Sequence, residues 1–183
     1  MQDKQRVEEI LNTLKKRTQE YRLNYYKPYP FQKRFHEAGL DTNQRLLMAA
    51  NRVGKSYVGA MEMAAHLTGI YPSWWKGKKF LKPIRAWVCG ASNETTRDIS
   101  QKELFGQPDN PREKGQGSIP KHLIGEKTRK PGVPNAHSSV LVKHNSGGWS
   151  RVAFKAYEQG AEKFMGESID LVWLDEEPSQ EIY

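Results

Sequence analysis

Ala49-Ala50-Asn51-Arg52-Val53-Gly54-Lys55-Ser56 is the stretch on which the fold turns. It matches the phosphate-gripping pattern G-x-x-x-x-G-K-[ST] except at its first position, where Ala49 replaces glycine. The residue types follow the chemistry. N–H groups of such a loop and of the helix it opens point at phosphate oxygens. Gly54 allows close backbone approach. Lys55 is suited to bridge the β- and γ-phosphates of a nucleoside triphosphate, and the Ser56 hydroxyl to ligate Mg²⁺. The candidate ATP contacts are Ala49, Asn51, Arg52, Val53, Gly54, Lys55, Ser56 and Tyr57. The alternative is a chance Gly-Lys-Ser at a helix start with a solvated lysine. Context favours the first reading. Arg45 to Ala50 (RLLMAA) is an apolar run that predicts a buried strand. Lys55 to Leu67 predicts a helix, with Val58, Met61, Ala65 and Leu67 on one face and Gly69 closing it.

A second signal lies far downstream. Leu171-Val172-Trp173-Leu174 reads as the end of a strand (Ile169 to Leu174) that runs into Asp175, Glu176 and Glu177. Adjacent acids at a strand end reach the crevice at the carboxyl edge of a sheet. Asp175 is the candidate for the Mg²⁺ shell and Glu176 for the base that deprotonates an attacking water, with Glu177 a neighbour. Alone, an acidic cluster after a strand is usually a solvated turn. A third element, Tyr29-Pro30-Phe31-Gln32, is weaker. The Gln32 amide offers a donor and an acceptor that match an adenine edge, and Phe31 or a nearby tyrosine offers a stacking face.

Between these points the sequence predicts an α/β fold. Residues 4–23 form an amphipathic helix with Val7, Ile10, Leu11 and Leu14 on one face, and residues 31–37 a second, short helix. Ile84 to Cys89 predicts a strand. Ser92 or Asn93 caps a helix towards Phe105, a better reading of Ser92 to Thr96 than a DNA contact. Gly106 to Asn135 predicts loop. Its basic residues Lys114, Lys121, Lys127, Arg129 and Lys130 suit a phosphate backbone or a solvated loop equally. Ser139 to Lys143 and Ser150 to Ala156 are two strands around the turn His144 to Gly148. Trp74 and Trp75 read as packing rather than as base-stacking residues.

The 183 residues suit one domain, and the net charge of +8 favours a polyanionic partner such as nucleic acid. Cys89 is the single cysteine, so the chain has no internal disulfide, and the five histidines lack zinc-ligand spacing. No apolar run approaches a membrane span.

Together, PYPFQKRFHEAG, AANRVGKS, AAHLTGIYP and QGAEKFMGESIDLVWLDEEP resemble the N-terminal ATPase domain of the large terminase subunit of tailed bacteriophages, that of the P22-like short-tailed phages in particular. The likeness covers nearly the whole chain, and a non-glycine first loop position is usual in that family. It implies a P-loop NTPase fold of the RecA-like (ASCE) type, with a mainly parallel sheet, helices on both faces and an N-terminal helix. It implies residues 1–24 as a helical appendage and 25–183 as the ATPase domain. It also implies that Gln32 reads adenine, and that Arg52, Lys55 and Glu176 are catalytic, Arg52 acting on the γ-phosphate. On the residues alone, Arg52 fits a salt bridge or a subunit contact as well. The implied activity is ATP hydrolysis driving double-stranded DNA into a procapsid in the host cytoplasm. The implied partners are a small terminase subunit, a portal protein and further copies in a ring, a pentamer, with a monomer in isolation. A coupling motif and an RNase H-like nuclease are expected beyond Tyr183, and nuclease activity is not expected of this chain. Two other readings remain at this level: a helicase-like DNA-dependent ATPase, and a nucleic-acid-binding module without catalysis.

Overall fold

The computed structural model describes residues 2–20, 22–110 and 115–182; Lys114 lies outside them. Helix α1 (Gln2–Glu20) and the short α2 (Arg22–Tyr25) open the chain. On α1 the predicted apolar face forms, yet Val7, Ile10, Leu11 and Leu14 each stay about half exposed. Helix α3 (Pro30–Ala38) starts on a proline, whose missing N–H costs nothing in a first turn, and ends at Gly39.

Helix α4 (Lys55–Thr68) is the axis of the fold. Val58, Ala60, Met61, Met63, Ala64, Ala65 and Leu67 are all buried, and a helix apolar around most of its girth must be covered on opposite sides. On one side Ala60, Met63, Ala64 and Leu67 pack on the sheet. On the other, Met61 and Ala65 meet Leu23, Tyr26 and Trp75. Each large aliphatic side chain so buried contributes roughly 1.5–3 kcal/mol.

Among the described residues the sheet has five strands in the order β2-β3-β4-β1-β5: β1 (Arg85–Gly90), β2 (Ile124–Arg129), β3 (His137–Lys143), β4 (Trp149–Ala156) and β5 (Leu171–Leu174). Strand β1 runs parallel to both β4 and β5. The pairs β2/β3 and β3/β4 are antiparallel. The sheet is therefore mixed, which corrects the expectation of a mainly parallel one. The turn His144 to Gly148 is far too short for the crossover that parallel neighbours need, so β3 and β4 form a hairpin.

Alternate residues of the strands make the core face. Ala86 and Val88, Val140 and Val142, and Val152 and Phe154 lie in one cluster with α4, Leu104 and Phe105. Leu104 and Phe105 come from a helical stretch that runs Asn93–Thr95, through a π-helical Thr96–Gln101, to Lys102–Phe105. Ser92 caps it by accepting from the Thr95 N–H, as predicted, and the chain turns away at Gly106. On the opposite face Trp87 is covered by Phe164, edge-on at 6.0 Å, from a 3₁₀ turn rather than from an α-helix. Cys89, at 0% exposure, faces the same side, and burial pushes its thiol up to about 12.

Two further expectations fail. Arg45 to Ala50 belongs to no strand, and Leu46 and Met48 are each 81% exposed. A strand needs a neighbour to take its N–H and C=O groups, and β5 ends the sheet without pairing to this segment. Conversely, the stretch read as loop contains a 3₁₀ turn (Lys121–Leu123) and β2. The β2 pairing to β3 carries two register shifts, and its polar sequence Ile-Gly-Glu-Lys-Thr-Arg shows no alternation to announce a strand.

Candidate nucleotide-binding site

The loop and the acids meet at the carboxyl ends of β1 and β5. Gly54 sits at the N-terminus of α4 with φ +85°, and Arg52 also has positive φ, +63°. Left-handed residues alternating with extended or helical ones curl successive N–H groups inward, and the first turn of α4 adds N–H groups with no intrahelical acceptor. In the concavity the Lys55 ammonium donates to Ala49 O at 2.8 Å and Ala50 O at 3.0 Å. It thus lies where a loop of this shape takes an anion, satisfied by backbone carbonyls.

Helix α4 is drawn against β5 by the absence of a side chain. A Cβ at Gly59 would lie 2.5 Å from the Trp173 ring. One turn earlier on α4, the Ser56 hydroxyl donates to Asp175 Oδ1 at 3.3 Å. Asp175 is itself fixed by its N–H, which donates to Cys89 O at 2.8 Å and extends the parallel ladder beyond β5. Burial holds the Asp175 carboxyl above its ordinary value; the Ser56 hydrogen bond and Lys55 pull it down, and Glu176 pushes it up. A hydroxyl and a partly desolvated carboxylate converging in this way are hard oxygen donors of the kind Mg²⁺ takes, with room for its waters. The donor set fits the implied ion.

Glu176 is exposed and has φ +69°, a left-handed conformation that is unfavourable for a side chain with a Cβ. A cleft lined by Gly90, Thr95, Thr96, Ser100, Asp175 and Glu176 opens beside it.

The structure places the other predicted contacts unevenly. Asn51 and Arg52 are exposed on the loop, and Arg52 makes no ion pair among the described residues. Tyr57 turns away from the loop, with its ring edge-on to Tyr26 at 5.6 Å. Gln32 is buried with both ends of its amide in use. Its Oε1 accepts from Tyr29 N at 2.9 Å, and its Nε2 donates to Val53 O at 3.4 Å. Here Gln32 is a brace between α3 and the loop, with stacked Tyr29 and Phe31 rings beside it, 6.2 Å apart.

Sequence reasoning missed the group that holds α3 on α4. Buried Glu62 accepts from Arg45 at 2.5 Å, pairs with His36 Nδ1 at 2.8 Å and lies 3.4 Å from His66. Tyr26 bonds the other nitrogen of His36 at 3.0 Å. Burial alone raises the Glu62 carboxyl, but hydrogen bonds from His36, His66 and Arg45 overcome it and leave it well below the carboxylate range. The only forewarning in the sequence is a lone acid on an apolar helix.

With this geometry in hand, relatives decide the family. The family described as "Terminase large subunit, T4likevirus-type, N-terminal" matches residues 46–183. The chain belongs to the terminase large subunit family. It is similar to the terminase large subunit of Salmonella phage P22, 37% identical over 202 residues, covering all of this chain and 40% of that protein. The chain thus spans less than half the length of this terminase relative. No solved structure matches. Among the described residues, no helix of this terminase-family chain is long and apolar enough to cross a membrane.

Proposed function

We propose that this chain is the P-loop ATPase domain of a DNA-packaging motor, hydrolysing ATP to move double-stranded DNA into a procapsid. The observation that carries the reading is the Ser56–Asp175 contact. It brings the Gly-Lys-Ser loop and the acidic strand end, 119 residues apart, to one point in a chain of the terminase family.

Ser56 and Asp175 would hold Mg²⁺, which when bound draws charge from the phosphate oxygens. Lys55 exchanges the Ala49 and Ala50 carbonyls for β- and γ-phosphate oxygens. Glu176 takes a proton from the water that attacks the γ-phosphorus, while the bond from that phosphorus to the bridging oxygen breaks, leaving ADP and phosphate. Arg52, exposed and free of ion pairs among the described residues, neutralises charge on the γ-phosphoryl group, from its own subunit or towards a neighbour in a ring. Gln32 leaves its brace to meet adenine. The working assembly is a ring in the host cytoplasm, with a portal protein and a small terminase subunit as partners.

The decisive test is a titration with ATP and Mg²⁺. The parent chain is expected to bind and to be stabilised, Lys55→Ala to lose binding by tenfold or more (about 1.4 kcal/mol for each factor of ten), and Glu176→Gln to bind while losing turnover. A parent chain that neither binds nor is stabilised refutes the reading.

A further inference from the structure

Strand β4 delivers Tyr157 to the same edge of the sheet as the two acids, immediately after Ala156. Strand β1 lies between β4 and β5, so Tyr157 and the acids sit two strand spacings apart, about 9.6 Å. Only a long side chain spans that gap. The Tyr157 hydroxyl reaches the Glu176 carbonyl at 3.0 Å and the Asp175 carbonyl at 3.3 Å, its single hydrogen shared between them. The two carbonyls bracket the residue whose φ is +69°.

A non-glycine residue is held in that conformation only when its surroundings insist on it. The Asp175 N–H is tied to Cys89 O on the ladder side, and among the described residues no backbone ladder continues past it. The Tyr157 hydroxyl grips the same turn from the other side. We infer that Tyr157 is a positioning residue that holds the turn at Asp175 and Glu176, and so aims the Glu176 carboxylate at the attacking water. The inference rests on the proposed ATPase reading for the role of Glu176, but the grip on the turn stands without it. Burial first, then the neighbouring acidic groups Cys89, Asp175 and Glu176, push the tyrosine hydroxyl above its ordinary value, so it remains a donor throughout the working range of pH. Its ring is supported by Phe164, at 6.3 Å.

Tyr157→Phe removes the hydroxyl and leaves the ring. Two readouts, hydrogen exchange and steady-state hydrolysis of ATP with Mg²⁺, separate positioning from mere packing. Amides in the segment 171–178 are expected to exchange about tenfold faster in the variant, with 85–90 and 149–156 unchanged. The kcat is expected to fall about tenfold with KM within a factor of about two, a part of what a general base contributes. Unchanged exchange at 171–178 overturns the grip. Faster local exchange with unchanged kcat overturns the positioning role, and so does a rise in exchange across β1 and β4 with a matching rise in KM. Glu176→Gln, run alongside, keeps the two readings apart: if it hydrolyses ATP like the parent, Glu176 is not the base, while the exchange result still decides whether Tyr157 holds the turn.

Discussion

The Ser56 hydroxyl donates to Asp175 Oδ1 at 3.3 Å, closing a link between the start of α4 and the end of β5. Two oxygens at that separation make a site that a divalent ion enters between, because both are ligands it prefers. Ser56→Ala and Asp175→Asn are each expected to weaken ATP binding on the order of tenfold in the presence of Mg²⁺. Without Mg²⁺ each should bind as the parent does. Calorimetric titrations with Mg²⁺ and with a chelator check this, and equal losses under both conditions would count against metal ligation.

Asp175 also makes the site sensitive to pH. Burial raises its carboxyl in the folded chain above the ordinary value of 3.8. A raised acid favours folding below both values and takes stability away as pH rises through the window between them. Asp175→Asn is therefore expected to stabilise the nucleotide-free chain above that window, while leaving stability below it unchanged. Because the ion needs the carboxylate, the Mg²⁺ enhancement of ATP binding should fade as pH falls through the raised value, ahead of an ordinary aspartate. Urea melts and titrations across pH 3–7 are the measurements.

Gly59 sets how closely α4 approaches β5. A Cβ there would fall 2.5 Å from Trp173, so Gly59→Val must push the helix away. The expected cost is about 1–3 kcal/mol of overpacking, with loss of the Mg²⁺ enhancement as Ser56 leaves Asp175. Trp173→Leu in the same chain makes room, and the pair should recover much of both. An additive double variant would show that contact with Trp173 is not what Gly59 serves.

Glu62 anchors the middle of α4. Glu62→Gln leaves Arg45 and the two histidines with a neutral partner, and breaking a buried pair of this kind costs roughly 3–5 kcal/mol. In the parent chain the folded-state carboxyl lies below the ordinary 4.5. Its contribution is fully present above that value and is lost as pH falls through the folded one. Acid denaturation is expected to be steeper in the parent than in Glu62→Gln, which chemical melts at pH 2–6 measure directly.

Fixed spacing and local periodicity make the candidate site legible in the sequence. Gly54, Lys55 and Ser56 were placed by pattern, and Asp175 by its position after an apolar strand. Both signals are local, and the structure brings Ser56 and Asp175 within hydrogen-bond distance. What stayed hidden depends on partners. The alternation of residues 45–48, with Arg45 and Leu47 half-buried and Leu46 and Met48 exposed, is that of an extended chain, but no sequence pattern tells whether a neighbour will pair with it. Strand β2 carries no local signal, because Lys127, Thr128 and Arg129 resemble a loop and pair only with β3. Gln32 read as an adenine contact on its chemistry, yet amide chemistry serves equally to brace Tyr29 against Val53. Tyr157 and Glu62 carried no motif, since each acts through residues far away in the chain.

The burial of Cys89 has a practical use. The sole thiol of the chain is at 0% exposure and is pushed up to about 12, so at neutral pH it is both shielded and protonated. Maleimides and other thiol reagents should pass the folded protein by. A cysteine introduced at an exposed position, such as Asn12 on α1, would then take up a fluorophore or spin label alone, with no need to remove the native one first.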